Sequence, residues 1–173
     1  MNNHHPNDFP SASPAPRPTI LHVFTDAAGR SRIHRCAIEG LTFGQVVSDV
    51  PPVWRTAAEH DVTSHAIWVL PTGWRGGWHR NPARQWVIPL RGRWFVETQD
   101  GARVEMGPGE MHLGDDLDST PDELGRVGHD SGVLGDEPCT VQVIALAGDA
   151  TRRACDVVEE LPTSANYTPD HTM

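Results

Sequence analysis

The residues best suited to chemistry are His79, Asn81 and Gln85, within the segment GWRGGWHRNPARQWVIPLRG that spans residues 73–92. In an extended strand, side chains two positions apart share a face, so His79 and Asn81 point the same way. The turn at Pro82, Ala83 and Arg84 lets Gln85 return to that face on the next strand. Imidazole binds divalent zinc, copper, iron and nickel, and a side-chain oxygen can complete such a set. The segment is therefore expected to run strand, polar turn, strand, with one inward-facing polar site. Asn81 and Arg84 are the candidate catalytic residues, orienting an anionic group, since a guanidinium suits a carboxylate.

Positioning such a site takes a set of short strands, and the chain supplies the pattern. Thr19–Thr25 and residues 31–38 read as strands around a turn at residues 26–29. They place His22 and His34 opposite each other, as ordinary surface or interface histidines. Residues 39–62 read as irregular, because Pro51 and Pro52 break regular structure. A helical turn is expected over 56–60, and Val46, Val47, Val50, Val53 and Trp54 suggest a segment laid over a barrel face. Val62–Leu70 reads as a strand, with Ala66, Trp68 and Leu70 on one face and His65, Ile67 and Val69 on the other. Trp68 is the tryptophan expected at the pocket; Trp78 and Trp86 are expected to point away from it.

Pro89 donates no ladder hydrogen bond, so residues 86–90 are expected at a bulge or an edge. Strands follow over 94–98, 102–106 and 110–114, with a tight hairpin at Asp100 and Gly101. Residues 115–132, DDLDSTPDELGRVGHDSG, make a long acidic loop, either solvated or a flap over a barrel mouth. Asp116-x-Asp118 hints at a calcium loop, but Pro121 and Val127 stand where that motif needs Gly and Glu, which excludes it. Residues 139–147 read as a closing strand. Asp149 is placed to cap a short helix over 150–161 with Ala154, Val158 and Leu161 on one face. Residues 1–17 and 162–173 are expected to be disordered or loose. Residues 18–161 then form a single domain.

The segment 73–92 resembles the first motif of the cupin superfamily, which reads Gly, five residues, His-x-His, three or four residues, Glu, six residues, Gly. Here the series is Gly73, five residues, His79-x-Asn81, three residues, Gln85, six residues, Gly92. Asn81 stands where a His is usual, and Gln85 where a Glu is usual. Pro108, Gly109 and Glu110 resemble the opening of the family's second motif, which brings one more His. His129 is the candidate, after an insertion, and Asp115 sits where a Pro is common. The resemblance covers about residues 63–147.

The resemblance implies an all-β fold, a cupin-type antiparallel β-barrel or jelly roll, here followed by the short C-terminal helix. It implies a divalent metal (iron, nickel, copper or zinc) held by His79, Gln85 and His129, with Asn81 a weak fourth donor. Gln85 has no charge to offset a cation, so a metal-free pocket for a small organic molecule stands as the alternative. Function stays open in the same way. One reading is a metal-dependent oxygenase, isomerase or lyase; the other is a non-enzymatic binding or regulatory domain. Some epimerase-like members work without metal through a His–Asp base, but His129 and Asp130 would point to opposite faces of a strand. In cupin-like proteins N-terminal strands often pack on a second subunit, so the hairpin over 19–38 is the expected homodimer element.

The chain has 173 residues, 16 of them Gly and 15 Pro. That length suits one domain with a real core, and that composition suits many short strands. A formal net charge of -9 excludes nucleic acid as a partner, because a phosphate backbone needs basic patches. Cys36, Cys139 and Cys155 contain no Cys-x-x-Cys pair and read as reduced thiols. No stretch is long enough for a membrane helix, and residues 1–17 lack the basic and apolar regions of a secretory signal. A cytoplasmic location without membrane contact is expected. There is no Gly-x-Ser-x-Gly elbow and no phosphate loop.

Overall fold

The computed structural model describes residues 14–48, 50–57, 62–147 and 156–161. Twelve strands follow in order: β1 Thr19–Thr25, β2 Ser31–Ala37, β3 Thr42–Gly44, β4 Val53–Arg55, β5 Val62–Leu70, β6 Gln85–Arg91, β7 Arg93–Thr98, β8 Arg103–Met106, β9 His112–Asp115, β10 His129–Leu134, β11 Cys139–Leu146 and β12 Asp156–Glu160. The described residues are all-β. A seven-stranded sheet runs β12-β2-β1-β9-β6-β11-β5, a three-stranded sheet runs β10-β7-β8, and β3 and β4 form a separate ribbon.

Alternation decides which side chains meet. Leu21 and Val23 of β1, Val87 of β6, and Val141 and Val143 of β11 face the small sheet. There they join Trp94 and Val96 of β7, Val104 and Met106 of β8, and Val133 of β10 in one core. The alternate residues Ile20, Cys36, Leu113 and Leu146 gather in a second cluster, on the other face of the large sheet. Burial of such aliphatic and aromatic side chains supplies about 1.5–3 kcal/mol each, which holds the two sheets face to face.

Pro89 sits within β6, on the stretch that pairs with β11 and beyond residues 85–87, the part that pairs with β9. The register there slips, so that Val141 opposes Pro89 while Thr140 opposes Arg91. A bulge on the β11 side and the end of β9 pairing at Val87 together accommodate the missing donor. His22 pairs with His34 across the first hairpin. That hairpin is built into the sheet, since β1 also pairs parallel with β9, and β2 with β12.

Three expectations need correction. The described part of the helix expected over 150–161 is not helical: residues 156–160 are strand β12, antiparallel to β2. A lone short helix must meet its own nucleation cost, whereas DVVEE carries adjacent valines that suit a ladder along the edge of β2. The part of that helix over 150–155, with Ala154, lies outside the described residues, as do most of the helical turn over 56–60 and the tails from 1 to 13 and from 162 onward. Residues 39–62 are not wholly irregular, because Thr42, Phe43 and Gly44 pair with Arg55, Trp54 and Val53 around the proline pair. Cys36 is disulfide-bonded, so the expected reduced thiol is found at Cys139, which is buried and free.

The first arm of the 73–92 segment is not a continuous strand. It touches β10 through two isolated bridges, Arg75 to Gly132 and His79 to His129. At the second, each residue's N–H donates to the other's C=O at 2.9 Å. This contact runs so close that a Cβ on Gly128 would lie 2.0 Å from the His79 carbonyl oxygen, and Gly128 itself holds φ +67°. Only glycine fits both conditions. Gly44 has an ordinary φ and nothing within 4 Å of its missing Cβ. Gly128→Ala is expected to lower unfolding stability by about 2–4 kcal/mol and Gly44→Ala by less than about 0.5 kcal/mol, measured by urea denaturation. Equal losses would count against the close approach at His79.

Candidate functional site

Between the two sheets lies a partly open cavity of about 40 Å³. His79, Asn81, Gln85 and His129 all line it, together with Trp68, Trp74, Trp94, His112, Ser131, Leu70, Val87 and Val141. Strand phase explains the set. Gln85 and Val87 are alternate residues of β6, His112 opposes Val87 across the sheet, and the backbone bridge carries His79 alongside His129. The two imidazoles stand 4.6 Å apart between ring centroids, tilted by 50°.

The polar groups form a directed chain. His129 Nδ1 donates to Asp116 Oδ2 at 2.8 Å. Asp116 Oδ1 accepts from the Asn81 side-chain Nδ2 at 2.6 Å and from the Asn81 backbone N–H at 3.2 Å. Asn81 Oδ1 in turn accepts from Gln85 Nε2 at 2.8 Å. His79 Nδ1 donates to the Gly77 carbonyl at 2.7 Å. Both histidines thus have Nδ1 committed as donor, so in a neutral ring the lone pair is on Nε2.

Asn81 fits here because residue 114 is glycine: a Cβ there would lie 2.4–2.7 Å from the Asn81 amide. Burial alone would raise the Asp116 carboxyl. The hydrogen bond and charge of His129, with the two Asn81 donors, outweigh it and hold the group below its ordinary range.

Arg84 stands apart. It is buried beside Asp115, with Nε 3.9 Å from Oδ2, and is not among the residues lining the cavity. Asn81 lines the cavity but spends its amide on Asp116 and Gln85, so it positions the hydrogen-bonded His129–Asp116 dyad. Trp68 does line the cavity. Trp78 lies under the Arg126 guanidinium at 4.7 Å, and His65 meets Gln142 on the exposed side of β5.

The loop over 116–128 is not a free flap. Its Thr120 N–H donates to the Gly29 carbonyl, Arg80 donates to the Ser119 carbonyl, and Gln99 donates to the carbonyls of Thr120 and Arg126. Its two ends, Asp116 and His129, are the members of the dyad.

Two residues of the site escaped the sequence. Asp116 was weighed only as part of a rejected calcium loop, and its partner is far along the chain. His112 lies in a strand that was read nearly correctly, but its inward phase follows from its pairing with Val87. Both ring nitrogens of His112 are buried without a hydrogen-bond partner, and so is Nε1 of Trp94. The two rings stack at 5.3 Å. Burial, and then the nearby His129, push the His112 imidazole down to about 3 from 6.5, so it is neutral near pH 7.

For a metal, the site offers the Nε2 lone pairs of His79 and His129 and the amide oxygen of Gln85. No anionic ligand joins them. Among the described residues no three His, Cys, Asp or Glu side chains are grouped to hold an ion. The donor set therefore carries no negative charge to offset that of a cation.

No family model and no curated protein matches the chain. Among solved structures, a cupin-like protein from Thermotoga maritima is similar at 20% identity and TM-score 0.37, covering 75% of this chain and 92% of its own. A protein from Neisseria meningitidis is similar at 19% identity and TM-score 0.36, covering 52% of this chain and 78% of its own. No described helix is long and apolar enough to cross a membrane.

Because the folded-state values of His112 and Asp116 are both lowered, the unfolded chain binds their protons first as pH falls. Their contribution is complete above the unfolded values and is lost on acidification. For His112 the loss runs from about pH 6.5 to about 3, at up to about 1.4 kcal/mol per pH unit. The Asp116 loss comes at the acid end, below its ordinary 3.8. His112→Phe, which keeps a ring against Trp94, is expected to flatten stability between pH 6.5 and 4.5. Urea midpoints in chelator across that range would check it, and an unchanged slope would contradict the burial of a neutral imidazole.

Proposed function

We propose that this chain is a cupin-like protein that binds a small, uncharged organic molecule between its sheets. The observation that carries the reading is the trio of buried, unpartnered polar atoms on His112 and Trp94, whose side chains line the cavity. Buried polar groups without a partner are rare and costly. A ligand edge that offers an acceptor to the indole N–H and a partner to one imidazole nitrogen would answer two of the three.

The lining contains no Asp, Glu, Lys or Arg, and the ionised Asp116 lies directly behind His129. That field disfavours an anion, against the earlier expectation that Arg84 would orient one. Trp68, Trp74 and Trp94 offer faces to a planar group. His129, held by Asp116, is placed to accept a proton from such a ligand through Nε2. The cytoplasmic location expected from the sequence has one observation against it, since a disulfide such as that at Cys36 persists in oxidising compartments.

Benzamide and benzoate separate the neutral from the anionic reading, being alike in shape and unlike in charge. Benzamide is expected to raise the melting temperature of wild type and to lose that effect in His112→Phe, while benzoate gives none. Stabilisation by benzoate alone would overturn the proposal.

A second reading keeps a divalent ion on His79, Gln85 and His129, and the commitment of both Nδ1 atoms supports it, because such second partners orient metal-binding imidazoles. Gln85→Glu decides between the two. With an ion present, the carboxylate offsets its charge, and the variant melts higher until chelator is added. Without one, the carboxylate faces the Asn81 Oδ1 that Gln85 now donates to. The variant then melts several degrees lower in either condition.

A further inference from the structure

A cavity of about 40 Å³ holds little more than one water molecule, whose share of the liquid is about 30 Å³, whereas benzene needs about 150 Å³. An organic ligand therefore enters only where part of the wall gives way, and the wall is not uniform. Val87, His112 and Val141 lie on β6, β9 and β11, interior strands of the large sheet, and Trp94 lies on β7, the middle strand of the small one. Trp68 belongs to β5, which pairs with β11 along its length. Trp74 is the one tryptophan of the lining that stands outside every strand.

Trp74, Arg75 and Gly76 form a short span between two pivots. Gly73 has φ +74° and Gly77 has φ +69°, and neither has an atom within 4 Å of where a Cβ would stand. Glycine turns freely in such open left-handed positions, and hinges are a few residues of this kind. The chain is fixed on both sides of the pivots. Leu70 is buried opposite Cys139. Trp78 is covered by the Arg126 guanidinium, and His79 exchanges two backbone hydrogen bonds with His129.

The span itself is held by less. The Gly76 N–H donates to the Ser131 carbonyl at 2.8 Å, and the Val133 N–H donates to the Trp74 carbonyl at 2.9 Å. One ion pair latches it: Arg75 Nε donates to Asp130 Oδ2 at 2.8 Å, and Nη2 donates to the same oxygen. The guanidinium is exposed and the carboxylate buried. From this span the Trp74 ring folds inward against the core. A Cβ on Gly76 would meet Trp74 Cη2 and His79 Cε1 at 3.0 Å and Ser131 Oγ at 3.3 Å. The ring thus packs down on a bare Cα and fills the space beside His79 and Ser131.

We propose that residues 74–76 are a gate, hinged at Gly73 and Gly77 and latched by Arg75 on Asp130, whose opening swings the Trp74 ring out and enlarges the cavity for a ligand. Opening withdraws a cation from a buried carboxylate, which is costly, so the gate rests shut and opens transiently. The dyad behind it keeps its place, because Asp116 and His129 are joined to each other and to Asn81, outside the span. The gate rests on the cavity being a ligand site, but its test uses no ligand, so its result is separate from that with benzamide.

Ser131→Cys puts a thiol behind the gate. Cys139, free and buried in the core, reports global unfolding in the same molecule. Labelling of both by iodoacetamide is followed by mass spectrometry of the peptides. When closing outpaces labelling, each rate follows the open population. The thiol at position 131 is expected to label slowly, yet faster than Cys139. Adding Arg75→Gln with Asp130→Asn removes the latch without changing the net charge or leaving a carboxylate unpaired. This is expected to speed labelling at position 131 at least about tenfold and to leave Cys139 unchanged. Trp74→Ala, which removes the ring, is expected to do the same with the latch in place. Equal acceleration at both thiols would mean that these side chains only support the fold. An unchanged rate at position 131 in either variant would mean that the span is not the way in. Each result overturns the gate.

Discussion

Asp116 has no exposed surface, and a carboxylate left unpaired at such a depth costs several kcal/mol. The surrounding structure answers that cost with three donors, two from Asn81 and one from His129. Each donor has its own support. Asn81 is held by Gln85 and admitted by the bare Cα of Gly114. His129 is held by the backbone bridge to His79, which requires Gly128. The polar side of the cavity is thus one connected network, in which the loss of any member leaves another unpaired.

The loop over 116–128 is what lets two residues so placed meet. Its ends are the two members of the dyad, and its middle is fastened to the turn at Gly29 and to Gln99, whose Oε1 also accepts from the Ser31 backbone N–H. Asp122 accepts from the Arg126 backbone and side chain within the loop. A long loop with this many internal partners pays its ordering cost during folding, so the dyad is already assembled before any ligand arrives.

Much of the strand order was legible. Alternation and turn residues located eight of the twelve described strands closely, while β10 was hidden in the loop expected over 115–132, and the spacing from Gly73 to Gly92 brought His79, Asn81 and Gln85 to one cavity. What escaped depends on pairing between distant segments. The phase of His112 follows from its register with Val87. The role of Asp116 follows from a contact across the loop. The strand at 156–160 is masked in the sequence by the Asp149 cap and the helical spacing of Ala154, Val158 and Leu161, and pairing with the edge of β2 decides it. Arg84 was assigned to the pocket by its place in the turn, but one step in phase sends it to Asp115.

The parallel pairing of β1 with β9 has a bearing on how the chain is made. A nascent polypeptide leaves the ribosome from its N-terminus, so β1 and β2 emerge as a hairpin long before β9 exists. Domains dominated by such non-local pairings fold slowly, because the closure entropy of the intervening chain comes before any contact repays it. During that interval the flank of β1 that β9 will cover stays bare, with Leu21 and Val23 exposed. The interior position of β1, between β2 and β9, therefore leaves its hairpin with an open edge during synthesis, where a chaperone would shelter it.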